Sequence, residues 1–171
     1  MTEHGADGSD TRRIVVVRHA STEQFSSSDH ARRLTEGGER DSSRIGEWLA
    51  SVDVHPEVVL VSSAARARRT ADLVVAALGD QTPVVVLDEL YGASPYEVVE
   101  LCARIDADVA CAAVVGHNPT MAMLADLLVA ADDAIDHFPT SAVAVVDVPG
   151  TWNALPEGSG TLVHLHRPHD T

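Results

Sequence analysis

Apolar residues along the chain alternate between two spacings. Short β-branched runs, bounded by polar or turn residues, predict buried strands at about Arg13 to Val17, Val58 to Val61, Val84 to Leu87 and Ala112 to Val115. Between them the spacing becomes helical. Ile45, Trp48, Leu49 and Val52 form one apolar face; Ala67, Ala71, Val74, Val75 and Leu78 form the next, which Gly79 ends. A third helix, near Pro95 to Arg104, presents Val98, Val99 and Leu101. Pro119 opens a fourth, with Met121, Met123, Leu124 and Leu128 assigned to the core. Two last strands, near Ala142 to Val148 and Thr161 to Leu165, have no helix between them and are expected to pair at the sheet edge. The alternation predicts an α/β fold: a three-layer α/β/α sandwich with a mainly parallel central sheet and at least one antiparallel edge strand. Residues 1–11 read as a polar, disordered tail and residues 12–171 as a single domain.

The strand ends carry the chemistry. The first strand runs into Arg18-His19, followed by Ser21-Thr22. The second ends in Ser62-Ser63, with Arg66 one helical turn on. The third ends in Asp88-Glu89 and the fourth in Gly116-His117-Asn118-Pro119. Ligands of α/β sheets bind just beyond the carboxyl ends of such strands. Two histidines and two arginines there predict a pocket for an anion, although sequence alone leaves the strand order open.

Composition narrows this reading. The 171 residues carry 26 acidic and 12 basic side chains, a net charge of −14, which argues against nucleic acid and anionic membrane as partners. Every basic residue is arginine, ten of them at or before Arg69, so lysine chemistry is excluded. The two cysteines, Cys102 and Cys111, form no CxxC, and neither has an arginine six residues later. This removes redox, zinc-knuckle and cysteine-phosphatase readings and fits a cytoplasmic protein. No apolar stretch is long enough to span a membrane. His164 and His166 share a strand face, but nothing completes a metal site around them. Neither metal nor cofactor is expected.

Phosphoryl transfer suits these residues. It needs an in-line nucleophile, which imidazole supplies, and positive groups on the equatorial oxygens, which two arginines and a protonated histidine supply without a metal. Arg18-His19-Ala20, Arg33-Leu34-Thr35 with Gly37-Gly38-Glu39-Arg40, Ser62-Ser63-Ala64-Ala65-Arg66-Ala67 with Thr70-Ala71, Leu90-Tyr91 and Gly116-His117-Asn118-Pro119 occur in order. In these motifs the chain resembles the histidine phosphatase superfamily, and within it the short SixA-type phosphohistidine phosphatases. The resemblance implies His19 as nucleophile, Arg18 and Arg66 as phosphate clamps and His117 as the second catalytic imidazole. Ser21 or Thr22 and Asn118 are expected to bind phosphate. Ser63 stands where the family usually has proline and is expected to cap the helix start.

Glu89 is a weak candidate for a general acid. Only about 25 residues separate it from His117, which leaves no room for a cap over the site. An open site and a readily protonated nitrogen leaving group favour a phosphorylated protein, with phosphohistidine as the bond cleaved. A small phosphorylated metabolite is the alternative substrate, and a non-catalytic phosphoprotein-binding domain the alternative class. Oligomeric state stays open.

Overall fold

A computed structural model describes residues 10–169. The predicted tail lies outside the described residues as far as residue 9, and Thr11 already belongs to the first strand. The elements are β1 (Thr11–Arg18), α1 (Glu36–Ser51), β2 (Val58–Ser62), α2 (Ala65–Leu78), β3 (Val84–Leu87), α3 (Pro95–Cys102), β4 (Cys111–Gly116), α4 (Thr120–Leu128), β5 (Val143–Pro149) and β6 (Thr161–His166). A single 3₁₀ turn, Asp88–Leu90, follows β3.

The six strands form one sheet in the order β3-β2-β4-β1-β5-β6. Pairing is parallel from β3 to β1. It is antiparallel between β1 and β5 and between β5 and β6, so the antiparallel part is confined to one side of the sheet. Successive side chains of a strand point to opposite faces. Val15, Val17, Val59, Val61 and Val115 pack with Ile45, Leu49, Ala71 and Val74 of α1 and α2. Ile14, Val16, Leu60 and Val114 pack with Val98, Leu101, Met121 and Leu124 of α3 and α4. Both faces of the central strands are therefore buried, which is why these strands read as unbroken apolar runs rather than alternating ones.

Local chemistry sets the helix ends. The Thr35 hydroxyl accepts the Gly38 N–H at 3.0 Å and caps α1. Ser94 and Glu97 form a capping box on α3, and Gly79 ends α2 in the left-handed region at φ 75°. Helices α1 and α2 touch through Gly46, where a Cβ would meet Ala77 Cβ at 2.7 Å and the carbonyl of Val74.

Two expectations are corrected. Met123 is 52% exposed, because it sits two positions from Met121 and so faces away from the sheet. Strand β3 is not buried through its length: Val85 and Val86 are exposed, because β3 is the last strand of the sheet. Among the described residues, no helix is long and apolar enough to cross a membrane.

Candidate active site

Strand order decides which motifs meet. With β4 between β1 and β2, the carboxyl ends carrying His19, His117 and Ser62 are adjacent; Arg18 pairs with Gly116, and Val61 with Val115. The rings of His19 and His117 lie 5.2 Å apart, centroid to centroid, at 55°. The backbone fixes the approach, since His19 N–H donates to the Gly116 carbonyl at 3.0 Å and the His19 carbonyl accepts from Ser141 N–H at 3.1 Å.

His19 is 8% exposed. Its Nδ1 lies 2.8 Å from the Ala20 carbonyl, an acceptor only, so Nδ1 carries the proton and Nε2 the lone pair. That lone pair accepts from Arg66 Nε at 3.3 Å. Burial first, then His117, Arg66 and Arg18, push the imidazole down to about 4, against the opposing pull of the Ala20 carbonyl. At neutral pH His19 is an uncharged base whose unprotonated nitrogen is held by a guanidinium, the protonation state a nucleophile requires.

His117 is held from β2. Its Nε2 lies 2.8 Å from Ser62 Oγ, and the Ala64 N–H donates to that same oxygen. With the hydroxyl proton thus directed to Nε2, Nδ1 carries the ring proton. This Nδ1 is buried and has no partner among the described residues, as is Nε of Arg18. Two buried donors without acceptors suit a phosphoryl oxygen. Burial, with Arg66 and Arg18 near, pushes His117 down to about 4 despite Asp29. With no anion in the pocket, the second imidazole is thus pushed toward its neutral form.

Arg66 enters from the first turn of α2. Besides Nε on His19, its Nη1 donates to the Asp29 carbonyl at 2.7 Å and its Nη2 to Asp29 Oδ2 at 3.1 Å. Thr70, one turn later, donates to the Arg66 carbonyl and accepts the Ala20 N–H, tying α2 to the loop after β1. Arg18 is half-buried, and its Nη1 donates to the Phe138 carbonyl at 3.3 Å.

The other expected residues are placed differently. Asn118 donates through Nδ2 to the Phe138 carbonyl and accepts the Ala122 N–H at Oδ1, so both ends of its amide serve the fold. Ser21 Oγ lies 3.1 Å from Thr140 Oγ1, and the Thr22 hydroxyl accepts from Arg32. Ser63 does not cap α2. Ala64 is the N-cap, and Ser63 Oγ instead meets His30 Nε2 at 2.9 Å. Glu89 is exposed beside Arg104 at 3.3 Å and is not brought to the two histidines.

The sequence offered no signal for Asp29, His30 and Tyr91 as a group. Tyr91 reaches Asp29 through its hydroxyl at 2.6 Å, and its ring lies 5.0 Å from His30 and 5.6 Å from His117. Asp29 and His30 lie in a polar loop without periodicity, where only the folded chain shows the contact. Among the described residues, no group of three or more His, Cys, Asp or Glu is placed to hold a metal ion. His164 and His166 instead lie against the Trp48 ring, at 5.9 and 4.7 Å.

The chain is similar to known proteins over most of its length. The family described as histidine phosphatase superfamily (branch 1) matches residues 14–93. An uncharacterised protein of Mycobacterium tuberculosis is 35% identical over 161 residues, covering 89% of this chain and 99% of the relative. The phosphohistidine phosphatase SixA of Escherichia coli is 30% identical over 142 residues, covering 82% and 88%. A solved structure from Nakamurella multipartitia, described as that of a proposed phosphohistidine phosphatase SixA, superposes with a TM-score of 0.82 at 32% identity, covering 93% and 97%.

Proposed function

This chain belongs to the histidine phosphatase superfamily and is a phosphatase, and from that premise we propose that it removes phosphate from phosphohistidine in a protein, through a covalent phospho-His19 and without a metal. The observation that carries the reading is the state of His19: neutral, with Nδ1–H on the Ala20 carbonyl and the Nε2 lone pair facing Arg66.

In the proposed reaction Arg66 Nε turns from His19 to a phosphoryl oxygen, and the Nε2 lone pair so released attacks phosphorus. Arg18 and Arg66 hold the equatorial oxygens, where charge is spread in the transition state. His117 donates Nδ1–H to one of them. The leaving group departs, and water then hydrolyses phospho-His19. Two guanidiniums lining the pocket suit an anion and oppose a cation, which supports metal independence.

Two features support a P–N bond in a protein over a phosphate ester in a metabolite. Glu89 points to Arg104 rather than to the histidines, so it does not stand as an acid for an oxygen leaving group. The residues from Glu89 to His117 are taken up by the 3₁₀ turn, α3 and β4 with their short links, with no inserted cap. We further read the protein as cytoplasmic, in keeping with its two free cysteines.

The test is acid-labile phosphate trapping on His19 during turnover, with a phosphohistidine protein run beside a panel of sugar and nucleotide phosphates. Turnover of the metabolites alone would replace the proposed substrate with a small-molecule one. Loss of activity to EDTA would remove metal independence.

A further inference from the structure

Asp29 has no part in the reaction just described, yet it is the most heavily tethered carboxylate near the site. Its Oδ2 accepts from the Tyr91 hydroxyl at 2.6 Å and from Arg66 Nη2 at 3.1 Å, and its Oδ1 accepts from Arg32 Nη1 at 3.2 Å. Tyr91 foremost, then Arg66 and Arg32, hold the carboxyl at about 2, well below the usual range. An ionised carboxylate can accept about four hydrogen bonds, and three are used here. The side chain is 53% exposed, so it remains open to a bound molecule.

The placement is specific. His19 contacts one end of the Arg66 guanidinium and Asp29 contacts the other. The carboxylate is thus separated from His19 Nε2 by the Arg66 guanidinium and one hydrogen bond on each side of it, within reach of a ring attached to a phosphoryl group bound over that guanidinium. The Tyr91 ring, 40% exposed and edge-on to His117 at 84°, walls the same opening.

A fixed anion beside a phosphate pocket repels an anionic substrate. It becomes favourable when the leaving group carries positive charge. Phosphohistidine meets that condition when the ring nitrogen distal to phosphorus is protonated. We propose that Asp29 is a specificity-determining residue, whose carboxylate, held by Arg66 and Tyr91 at the opening of the pocket, accepts a hydrogen bond from the protonated distal nitrogen of the substrate imidazole.

The step balances without an acid. The His19 Nε2 lone pair forms the new N–P bond. The substrate's N–P bond breaks, and its electron pair stays on the leaving nitrogen. The distal nitrogen keeps its proton, so a neutral imidazole departs and the positive charge passes to the phospho-His19 ring. This rests on the phosphohistidine reading above.

The experiment compares kcat/KM for a 3-phosphohistidine peptide with that for para-nitrophenyl phosphate, whose leaving group is an anion. It uses the wild type, Asp29→Asn, Asp29→Glu and Tyr91→Phe. The expected result is that Asp29→Asn lowers the ratio of the two by about tenfold or more, the size of a lost charged hydrogen bond. Asp29→Glu recovers most of the ratio, and Tyr91→Phe falls between. Equal losses on both substrates in Asp29→Asn would make Asp29 a support for Arg66 alone and overturn the inference, while the phosphohistidine reading stands. A wild type that hydrolyses para-nitrophenyl phosphate but not the peptide overturns that reading and this inference with it.

Discussion

Arg66 Nε donates to Nε2 of His19 across 3.3 Å, so the proposed clamp for phosphate is also the hydrogen-bond donor to the proposed attacking atom. The contact requires an unprotonated Nε2, and burial supplies one by pushing His19 down to about 4.

The pH behaviour follows from that value. In the unfolded chain a histidine protonates near 6.5; in the fold His19 resists until about 4. Between those values the unfolded chain binds more protons, so stability falls as pH drops from about 6.5 to about 4 and is flat above. The loss is on the order of 3 kcal/mol for His19. Nitrogen-detected NMR titration of His19 should give a midpoint near 4, and urea midpoints should drop between pH 7 and pH 4.5. An NMR midpoint near 6.5 would show that burial does not control this ring.

His19→Ala should cost about a thousandfold or more in kcat, as expected for a lost covalent nucleophile. Circular dichroism should show the fold retained. Wild-type rates in this variant would mean that another group attacks phosphorus.

Arg66→Lys keeps the positive charge but loses the planar fork that serves His19 and Asp29 together. About a hundredfold loss of kcat/KM is expected, the scale of one missing transition-state donor. Steady-state rates on the substrate that proves active check this, and near-normal values would reduce Arg66 to a point charge.

Gly46→Ala should lower the unfolding free energy by about 1–3 kcal/mol, since its Cβ meets Ala77 Cβ and the Val74 carbonyl where α1 and α2 touch. Urea denaturation reads this directly. Gly46 packs on the last turn of α2, whereas Arg66 meets His19 from its first, so the active-site rate constants of the folded fraction should hold.

The strands, the helices and the four basic residues were legible because each rests on local signals: β-branched runs, an apolar helical face and motifs at strand ends. The relation between His19 and His117 depends on β4 lying between β1 and β2, which no local signal encodes. Burial of β3 was overread because an apolar run looks the same at the centre and at the edge of a sheet. The downward push on His117 was not legible, because desolvation depends on what covers the ring. Asp29 was missed for the opposite reason: an aspartate in a polar loop looks like solvated surface until Arg66 and Tyr91 close on it.

His19, the proposed nucleophile, stands at the end of a strand bonded on both sides and covered on both faces. Such a strand opens only when the whole domain opens. The amide of His19, donating to Gly116, should therefore exchange with deuterium at the rate of global unfolding, whereas exposed amides between Gln24 and Asp29 exchange far sooner. On this reading the proposed nucleophile is anchored in the slowest-opening part of the molecule, and the loop that carries the proposed specificity residue, Asp29, belongs to a faster one. Heat or denaturant would then loosen substrate selection before it removes the capacity for phosphoryl transfer.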